Sequence, residues 1–435
     1  MRDFMKDIEN RILVYDGSKG YMLQKLGLKG GECGDLWNIT KPEMVKEIYR
    51  LYLEAGADVI QTNTFTANRI QLNKFFLGEK TYEINYNSVK LAREAAGEDK
   101  YVAASIGPTG LLFKPSGELS FNEAYEVFRE QVKAVVDGGV DIINFETFTD
   151  LAEMRVALLA AKDVCNLPII CSLAFENNGR TLMGTDPFIA VAVLKSLGAD
   201  IVGANCSFGP EHMEGMIKAM MEAGGGYLCA KPNAGLPRLI GDCAVYDETP
   251  DHFAKLASKF AGYGARLIGG CFGTTPDFIK ALKAEVEKLK PVPVGTAPEG
   301  IITSNVRYVN VAGIDRSNIG VIDLSRDTEL YAELCRNDFT GLEDAALDLA
   351  SEGYDAVHII DSNEPGDTSL LSEAVDRIQW YVKDPLIIET VSADALDEAL
   401  RLYRGIAGVV AGSSGNTENI KETARKYGSV VLQSF

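Results

Sequence analysis

Short apolar runs alternate with amphipathic segments along most of the chain. The first part contains eight apolar runs that have the length of buried strands, each followed by a turn-rich loop. The runs lie at residues 11–17, 57–65, 101–108, 141–148, 168–175, 200–207, 227–235 and 265–273. Spacers such as KPEMVKEIYRLYLEAG and FNEAYEVFREQVKAVVDGG have helical spacing and end at glycine. Eight strand–helix units in about 280 residues predict a closed (β/α)8 TIM barrel.

Prolines then cluster in KLKPVPVGTAPEG, residues 288–300, and interrupt both the helical and the strand pattern. We predict a barrel domain at 1–290, a linker at 291–302 and a smaller α/β domain at 303–435. The last domain has five strand-like runs, GVIDL, DAVHIID, PLIIET, GVVAGSS and SVVLQS. Five strands predict either an open α/β sheet or the first half of a larger barrel.

Composition excludes several classes of partner. The chain has 62 acidic and 43 basic residues among its 435 residues, a formal charge of -19, so it would repel the phosphates of nucleic acid. Its first residues, MRDFMKDIEN, lack the apolar segment of a signal peptide, and no stretch approaches the roughly 20 apolar residues of a membrane span. We therefore expect a cytoplasmic protein. Its eight cysteines form no CxxC pair, which favours free thiols or metal ligands.

Polar residues end the eight predicted strands, and in a βα barrel those ends share one rim, where active sites lie. The set comprises Asp16, Gly17, Thr62, Asn63, Thr64, Gly107, Pro108, Glu146, Thr147, Cys206, Asn233 and Cys271. Each residue alone is explained equally well as a cap of a neighbouring helix. The set together favours a ligand site.

Two cysteines stand out in this set. Cys206 and Cys271 end the sixth and eighth strands, and Asn233 follows the strand between them. Two thiolates and an amide oxygen that converge above the rim suit zinc.

Eight motifs carry a resemblance to a known family. DGSKG, TNTFTANR, SIGPTG, FETFTD, GTDP, GANCSFGP, PNAG and GGCFGTTP, in this order over residues 10–290, resemble the homocysteine S-methyltransferase family, especially its cobalamin-dependent branch. The resemblance implies a barrel that binds zinc through three cysteines. Cys206 and Cys271 match the first two positions, but Phe272 stands at the third.

The resemblance also implies how substrate is held. Asp16, Gly17 and Glu146 would bind the amino and carboxylate ends of homocysteine, with Thr62 and Thr64 nearby. Asn233 would lie beside the metal and could ligate it when substrate is absent. Zinc would convert the thiol, whose pKa is near 8.5, into the reactive thiolate.

Three interpretations of Phe272 remain open. Cys243, in the loop after the seventh strand, could replace the third thiolate. Alternatively, the site could work with two thiolates, Asn233 and the substrate sulfur, which is the interpretation that we favour. Finally, the metal could be lost and the barrel kept as a binding module.

The C-terminal part weakly resembles the first half of a pterin-binding barrel, and its open strand edges suggest a partner or a second copy. None of the three histidines lies in the DxHxxG pattern that ligates cobalt in cobalamin-binding modules. We therefore expect an external methyl donor, and favour a methyl-corrinoid on a separate protein over betaine or S-methylmethionine.

The leading hypothesis is a zinc-dependent S-methyltransferase whose acceptor is a thiol, with homocysteine expected and methionine as its product. One rival is a corrinoid-linked methyltransferase with a different acceptor. The other is a metal-free barrel that binds an amino acid or a partner protein.

Overall fold

The structure is a computed structural model that describes residues 3–114, 116–236, 238–240, 243–325, 328–362, 369–411 and 417–433. Contacts between residues divide the chain into two compact units. The first comprises residues 1–183 and 199–297, and the second comprises 184–198 and 298–435. The second unit thus includes a segment from within the predicted barrel domain, while the contiguous domain boundaries stay a prediction.

A parallel sheet of eight strands forms the centre of the first unit. Its strands are β1 Leu13–Val14, β2 Val59–Gln61, β3 Tyr101–Ile106, β4 Ile142–Phe148, β5 Ile169–Leu173, β6 Ile201–Asn205, β7 Leu228–Lys231 and β10 Ala265–Ile268. Between β7 and β10 the chain forms a separate antiparallel hairpin of β8 Arg238–Ile240 and β9 Cys243–Val245. Neighbours in the sheet follow the order β1-β10-β7-β6-β5-β4-β3-β2. Tyr15 bridges to Val59, and the Asp16 N–H donates to the Val59 carbonyl at 3.0 Å. The sheet is therefore closed between β1 and β2, and the predicted (β/α)8 barrel is confirmed.

Helices connect the strands of the barrel. They are α1 Phe4–Asn10, α2 Lys19–Lys25, α3 Trp37–Thr40, α4 Pro42–Glu54, α5 Arg69–Asn73, α6 Thr81–Ala96, α7 Phe121–Gly138, α8 Leu151–Val164, α10 Pro210–Glu222, α11 Pro250–Ala257 and α12 Pro276–Val286. The longest, α7, begins with a capping box in which Ser120 and Glu123 bond each other's backbone N–H groups. It ends at Gly139, whose φ of 96° is the left-handed conformation that glycine adopts without strain.

The lower part of the barrel is apolar. Buried side chains that include Leu13, Val59 and Ile142 form one cluster inside it, and Phe4 and Ile8 of α1 belong to the same cluster. Cys229 lies in this cluster as well and is fully buried, as expected of a core thiol. Burial of each such side chain contributes roughly 1.5–3 kcal/mol. The apolar layer fills the lower barrel, so polar chemistry is confined to the carboxyl ends of the strands.

The second unit contains a two-stranded hairpin and a five-stranded parallel sheet of order β13-β14-β15-β16-β17. Its strands are β11 Ile301–Thr303, β12 Tyr308–Asn310, β13 Ile319–Asp323, β14 Ala356–Asp361, β15 Leu386–Thr390, β16 Gly408–Ala411 and β17 Val430–Leu432. Its helices are α9 Pro187–Ser196, α13 Thr328–Leu334, α14 Thr340–Glu352, α15 Ser369–Tyr381, α16 Ala393–Leu402 and α17 Thr417–Lys426. The predicted smaller α/β module is thus confirmed.

The hairpin gives this unit its core. Ile302 of β11 packs in one buried cluster with Ile387 and Val410 of the sheet. The same hairpin holds α9, because the Phe188 ring lies 4.1 Å from the Tyr308 ring, measured between centroids. This contact explains why α9 groups with the second unit, although its sequence reads as one of the barrel's helical spacers.

Among the described residues, no helix has both the length and the apolar composition that a membrane crossing requires. The cytoplasmic location expected from the sequence stays a prediction.

Candidate active site

A cavity of about 240 Å3 lies at the carboxyl ends of the barrel strands. Phe272 lines it together with seven of the predicted strand-end residues, which are Gly17, Thr62, Asn63, Thr64, Glu146, Thr147 and Cys271. Apolar side chains such as Leu23, Leu28 and Phe65 cover part of the wall. A cavity of this size suits a small molecule rather than a polymer.

Cys206 and Cys271 contact each other, as predicted. The Cys206 N–H donates to the Lys231 carbonyl at 3.0 Å, and the Cys271 N–H donates to the Pro232 carbonyl at 2.8 Å. Both cysteines are thus fixed to the end of β7, which lies between their strands. Cys206 and Ser207 adopt φ angles of 65° and 63°, a conformation that non-glycine residues rarely adopt and that is often found at functional sites.

The two thiols are joined by a hydrogen bond. The hydrogen bond with Cys271 lowers the pKa of Cys206 despite its burial, whereas the same hydrogen bond and burial raise the pKa of Cys271 well above its usual range. Cys206 is therefore the more readily ionised thiol of the pair. The Asn205 amide nitrogen approaches the Cys271 sulfur at 3.9 Å and donates to the Thr147 hydroxyl at 2.7 Å.

Asn233 lies beside the sulfurs, where the sequence predicted it. Its side chain hydrogen-bonds Cys206 and helps to lower the pKa of that thiol. Its Oδ1 atom accepts the N–H of Phe272 at 3.1 Å. The amide oxygen is therefore engaged by the backbone, and ligation of a metal by Asn233 stays a prediction.

Phe272 lines the cavity but offers no atom that could ligate a metal. Its side chain is 48% exposed. Its backbone is held on both sides, because its carbonyl accepts the Ala234 N–H at 2.8 Å while its own N–H bonds Asn233. The position is thus fixed even though it carries no ligand. Cys243, the suggested substitute, lies in β9, but its side chain is outside what the structure describes.

Asp16 and Gly17 leave β1 at the edge of the cavity. The fully buried carboxylate of Asp16 accepts the Gln61 N–H at 2.8 Å and the Lys19 ammonium at 2.9 Å. Burial raises the pKa of Asp16, although Lys19 opposes this effect. A Cβ atom at Gly17 would lie 2.6 Å from the Thr274 carbonyl oxygen, so the close approach of the two loops requires glycine.

Glu146 ends β4 in a buried polar network. It accepts hydrogen bonds from the Gln61 amide, the Ser105 hydroxyl and the Lys231 ammonium. Burial alone would raise the pKa of Glu146, but Lys231 lowers it below its usual value. Burial likewise disfavours the charge of Lys231, but Glu146 raises the pKa of that lysine above its usual value. The two groups therefore form a charged pair inside the barrel.

The hydroxyls of the predicted site residues Thr62 and Thr64 hydrogen-bond to each other and to the backbone of β3. The Thr62 hydroxyl lies 2.6 Å from that of Thr64 and accepts the Ser105 N–H at 3.0 Å. Thr64 donates to the Ser105 carbonyl at 2.7 Å. These hydroxyls fix the end of β2 to β3 at the cavity wall, and their contact with substrate stays a prediction.

The sequence reasoning missed Lys231, Lys19, Gln61 and Ser105. Lys231 had a detectable signal, because a lysine at the end of an otherwise apolar strand inside a barrel needs a buried acidic partner. Gln61 and Ser105 gave no such signal, since single uncharged polar residues occur in many strands.

Across the described ranges, no group of three or more His, Cys, Asp or Glu side chains is placed to hold a metal ion. The Cys206–Cys271 pair supplies two sulfur donors. Such a pair fits half of a tetrahedral zinc site, and a substrate thiol would add a third sulfur.

Comparisons with known proteins agree with this geometry. Residues 13–286 match the family model described as homocysteine S-methyltransferase. A methionine synthase of Mycobacterium leprae (strain TN) is 31% identical over 318 residues, which are 68% of this chain and 26% of that relative. The chain thus spans about a quarter of the length of this relative.

Solved structures share the barrel. The metallated form of the homocysteine methyltransferase MmuM from Escherichia coli superposes with a TM-score of 0.54 at 24% identity, over 63% of this chain and 96% of that chain. Its oxidized form gives a TM-score of 0.53 at 24% identity, over 63% and 95% of the two chains. At this identity the likeness shows the fold.

The barrel fold and the family match agree with each other. The chain belongs to the homocysteine S-methyltransferase family.

Proposed function

We propose that this protein is a zinc-dependent S-methyltransferase that transfers a methyl group to a small thiol. The observation that carries the proposal is the contact between the Cys206 and Cys271 side chains beside a cavity of about 240 Å3. Homocysteine, the acceptor expected from the sequence, is the first candidate because of the family to which the chain belongs.

The residues have distinct tasks in this proposal. Cys206 and Cys271 would hold the zinc ion, and Asn205 would steady the Cys271 sulfur. Zinc, when bound, would supply a positive charge that converts the acceptor thiol into a thiolate. That sulfur forms a bond to the methyl carbon while the bond between carbon and donor breaks, and the electron pair leaves with the donor.

The donor is proposed to be a methyl-corrinoid carried by a separate protein. The support comes from the sequence, because His212, His252 and His358 all lie outside a DxHxxG pattern. A corrinoid-linked enzyme with another acceptor stays the rival proposal.

Metal analysis of the purified protein tests the zinc site. We expect near-stoichiometric zinc in the wild type and its loss in Cys206→Ser and Cys271→Ser, because each removes one of two sulfur donors. Cys335→Ser is the matched control, since Cys335 is exposed and lies in the second unit. Phe272→Cys should bind zinc more tightly, because the backbone at this position is already fixed.

A wild type without zinc, together with a Phe272→Cys variant that binds it, would contradict the proposal. That result would favour a metal-free binding module. Activity is measured with methylcobalamin as donor and thiols as acceptors, with mass spectrometry of the S-methylated product.

A further inference from the structure

We propose that Lys19 binds the carboxylate of the acceptor, and that this contact selects a thiol that carries a carboxylate over a simple thiol. The inference rests on the proposed function and deepens it, because it assigns a residue to one end of the substrate. Its basis is that Lys19 has the only cationic side chain among the described residues that line the cavity.

Lys19 is held on the same side of the cavity as Cys271. It begins α2 shortly after β1, and β1 pairs with β10, the strand that precedes Cys271. The neighbouring residue Ser18 is fixed to the Cys271 loop, because its N–H donates to the Thr274 carbonyl at 3.0 Å. Lys19 and Cys271 both line the cavity. A short substrate whose sulfur lies beside Cys271 therefore has its other end near Lys19.

The ammonium group of Lys19 has donors left for a ligand. An ammonium group carries three N–H donors. Within the described part of the chain, its one hydrogen bond goes to the Oδ2 atom of Asp16 at 2.9 Å. The Lys19 side chain is 10% exposed, so most of it is withdrawn from water. A substrate carboxylate would form charge-assisted hydrogen bonds with it, which are roughly twice as strong as neutral ones.

The other charges at the cavity explain why an anionic group needs this lysine. Glu146 and Asp35 also line the cavity. Glu146 is ionised, because Lys231 more than offsets the rise in pKa that burial alone would cause, and Lys19 adds to this effect. An ionised carboxylate repels a substrate carboxylate at short range. Without Lys19, the charged side chains known to line the cavity would all be acidic.

A purely structural role for Lys19 makes a different prediction. Asp16 is fully buried, and Lys19 is a cation that neutralises it. If Lys19 served Asp16 alone, its loss would disturb the binding of a substrate ammonium group and leave a substrate carboxylate unaffected. The two roles therefore act on different ends of the substrate, and ligands that lack one end can separate them.

The experiment compares three thiols that differ by one group. Homocysteine carries an ammonium and a carboxylate group, γ-mercaptopropylamine lacks the carboxylate, and γ-mercaptobutyrate lacks the ammonium group. Each is titrated by calorimetry into the protein as purified. We expect the wild type to bind homocysteine at least about tenfold more tightly than γ-mercaptopropylamine, which corresponds to about 1.4 kcal/mol. Equal or tighter binding of γ-mercaptopropylamine overturns the proposal.

Variants at position 19 test the lysine itself. Lys19→Met should lower the affinity for homocysteine and for γ-mercaptobutyrate at least about tenfold, and that for γ-mercaptopropylamine clearly less. Lys19→Arg keeps the charge and should retain most of the affinity. Lys25→Met is the matched control, because Lys25 lies on the same helix but is exposed and is not among the residues that line the cavity.

The opposite pattern would contradict the proposal. If Lys19→Met weakens homocysteine and γ-mercaptopropylamine equally and leaves γ-mercaptobutyrate unchanged, Lys19 acts through Asp16 and the assignment is wrong. If Lys19→Met does not fold, Lys19→Gln takes its place, because glutamine can still donate a hydrogen bond to Asp16 but has no charge. The same two patterns then decide.

The outcome also separates this proposal from the proposed function. Methyl transfer to homocysteine with an affinity that does not depend on Lys19 would keep the function and remove the further inference. A Lys19-dependent preference for homocysteine, without methyl transfer to any thiol, would keep the inference and remove the function. Binding of none of the three thiols removes both.

Discussion

Each of the two parallel sheets carries a glutamate near the carboxyl end of a strand, with a basic side chain beside it. In the barrel, Glu146 bonds Lys231, and each keeps the other charged. In the second unit, Glu389 lies 3.1 Å from the Nε2 atom of His358. There burial lowers the pKa of His358 to about 4, while burial and the neighbouring Asp323 raise the pKa of Glu389.

The difference shows two ways to bury ionisable groups. The barrel surrounds its pair with further dipoles from Gln61 and Ser105, so both charges persist. The open sheet leaves its histidine neutral at neutral pH. A second buried acid in the first unit, Glu153, differs from Glu146, because burial raises its pKa to about 7.

Among the substitutions considered, Lys231→Met should lower the free energy of unfolding most. It leaves the buried carboxylate of Glu146 without its cation, and loss of one partner of a buried pair costs about 3–5 kcal/mol of unfolding free energy. Denaturant titration measures the loss. Adding Glu146→Gln should restore much of it, and Lys133→Met on the surface should cost about 0–1 kcal/mol. If Lys231→Met is as stable as the wild type, the pair is not charged.

Glu153→Gln should change how stability depends on pH. Glu153 accepts hydrogen bonds from the Thr109 N–H at 2.7 Å and the Thr109 hydroxyl at 2.6 Å, both at Oε1, which glutamine retains. Its pKa of about 7 in the folded protein exceeds the ordinary glutamate value of 4.5, so ionisation favours the unfolded chain. Stability therefore falls as pH rises from 4.5 to 7, by up to about 3 kcal/mol.

Thermal unfolding of wild type and Glu153→Gln between pH 5 and 8 checks this sign. The variant should gain stability relative to the wild type as pH rises. A difference that stays constant over this range would show that Glu153 is ionised in the folded protein.

Two glycine-to-alanine variants compare the rigidity of the two units: Gly17→Ala in the first unit and Gly320→Ala in the second. A Cβ at Gly17 meets a backbone carbonyl at 2.6 Å, whereas a Cβ at Gly320 meets the Leu349 and Tyr354 side chains at 2.9 Å. Side chains can yield and backbone cannot, so we expect Gly17→Ala to cost about 1–3 kcal/mol and Gly320→Ala clearly less. Denaturant midpoints measure both, and equal costs would show that the barrel mouth is not tighter than the open sheet.

Among these variants, His358→Gln should change the free energy of unfolding least. Its effect on stability should depend on pH in the opposite direction to that of Glu153→Gln. The pKa of His358 is about 4 in the folded protein and 6.5 ordinarily, so protonation favours the unfolded chain. Its contribution to stability is complete above pH 6.5 and is lost as pH falls toward 4. Hydrogen exchange of β14 and β15 amides at pH 5 and 7 measures this, and an equal pH response in wild type and variant would contradict it.

Much of the architecture was predictable because burial leaves a periodic record in the sequence. The strand that contains Ile142 and the helix that begins after Ser120 were both recognisable from local signals, an apolar run and a glycine that ends the helix. The hairpin of β11 and β12 was not predicted, because its strands have three residues each and follow a proline-rich segment. The grouping of α9 with that hairpin depends on a contact between Phe188 and Tyr308, which are distant in the chain.

The candidate site was predictable to the extent that residue type and position at a strand end define it. Cys206 and Cys271 could be paired in advance, because alternate strands of a closed barrel converge at its rim. The sequence by itself determined the strand–helix repeat, the acidic charge and the positions of these thiols.

The tertiary structure decided which partners the charged groups take. Lys231 and Glu146 lie 85 residues apart, and closure of the barrel brings them together. Closure likewise places Gln61 and Ser105 around Glu146. A local pattern records whether a residue is buried, but hydrogen bonds and ion pairs depend on distances across the fold. For that reason the pairing of Lys231 with Glu146 could be read only from the folded chain.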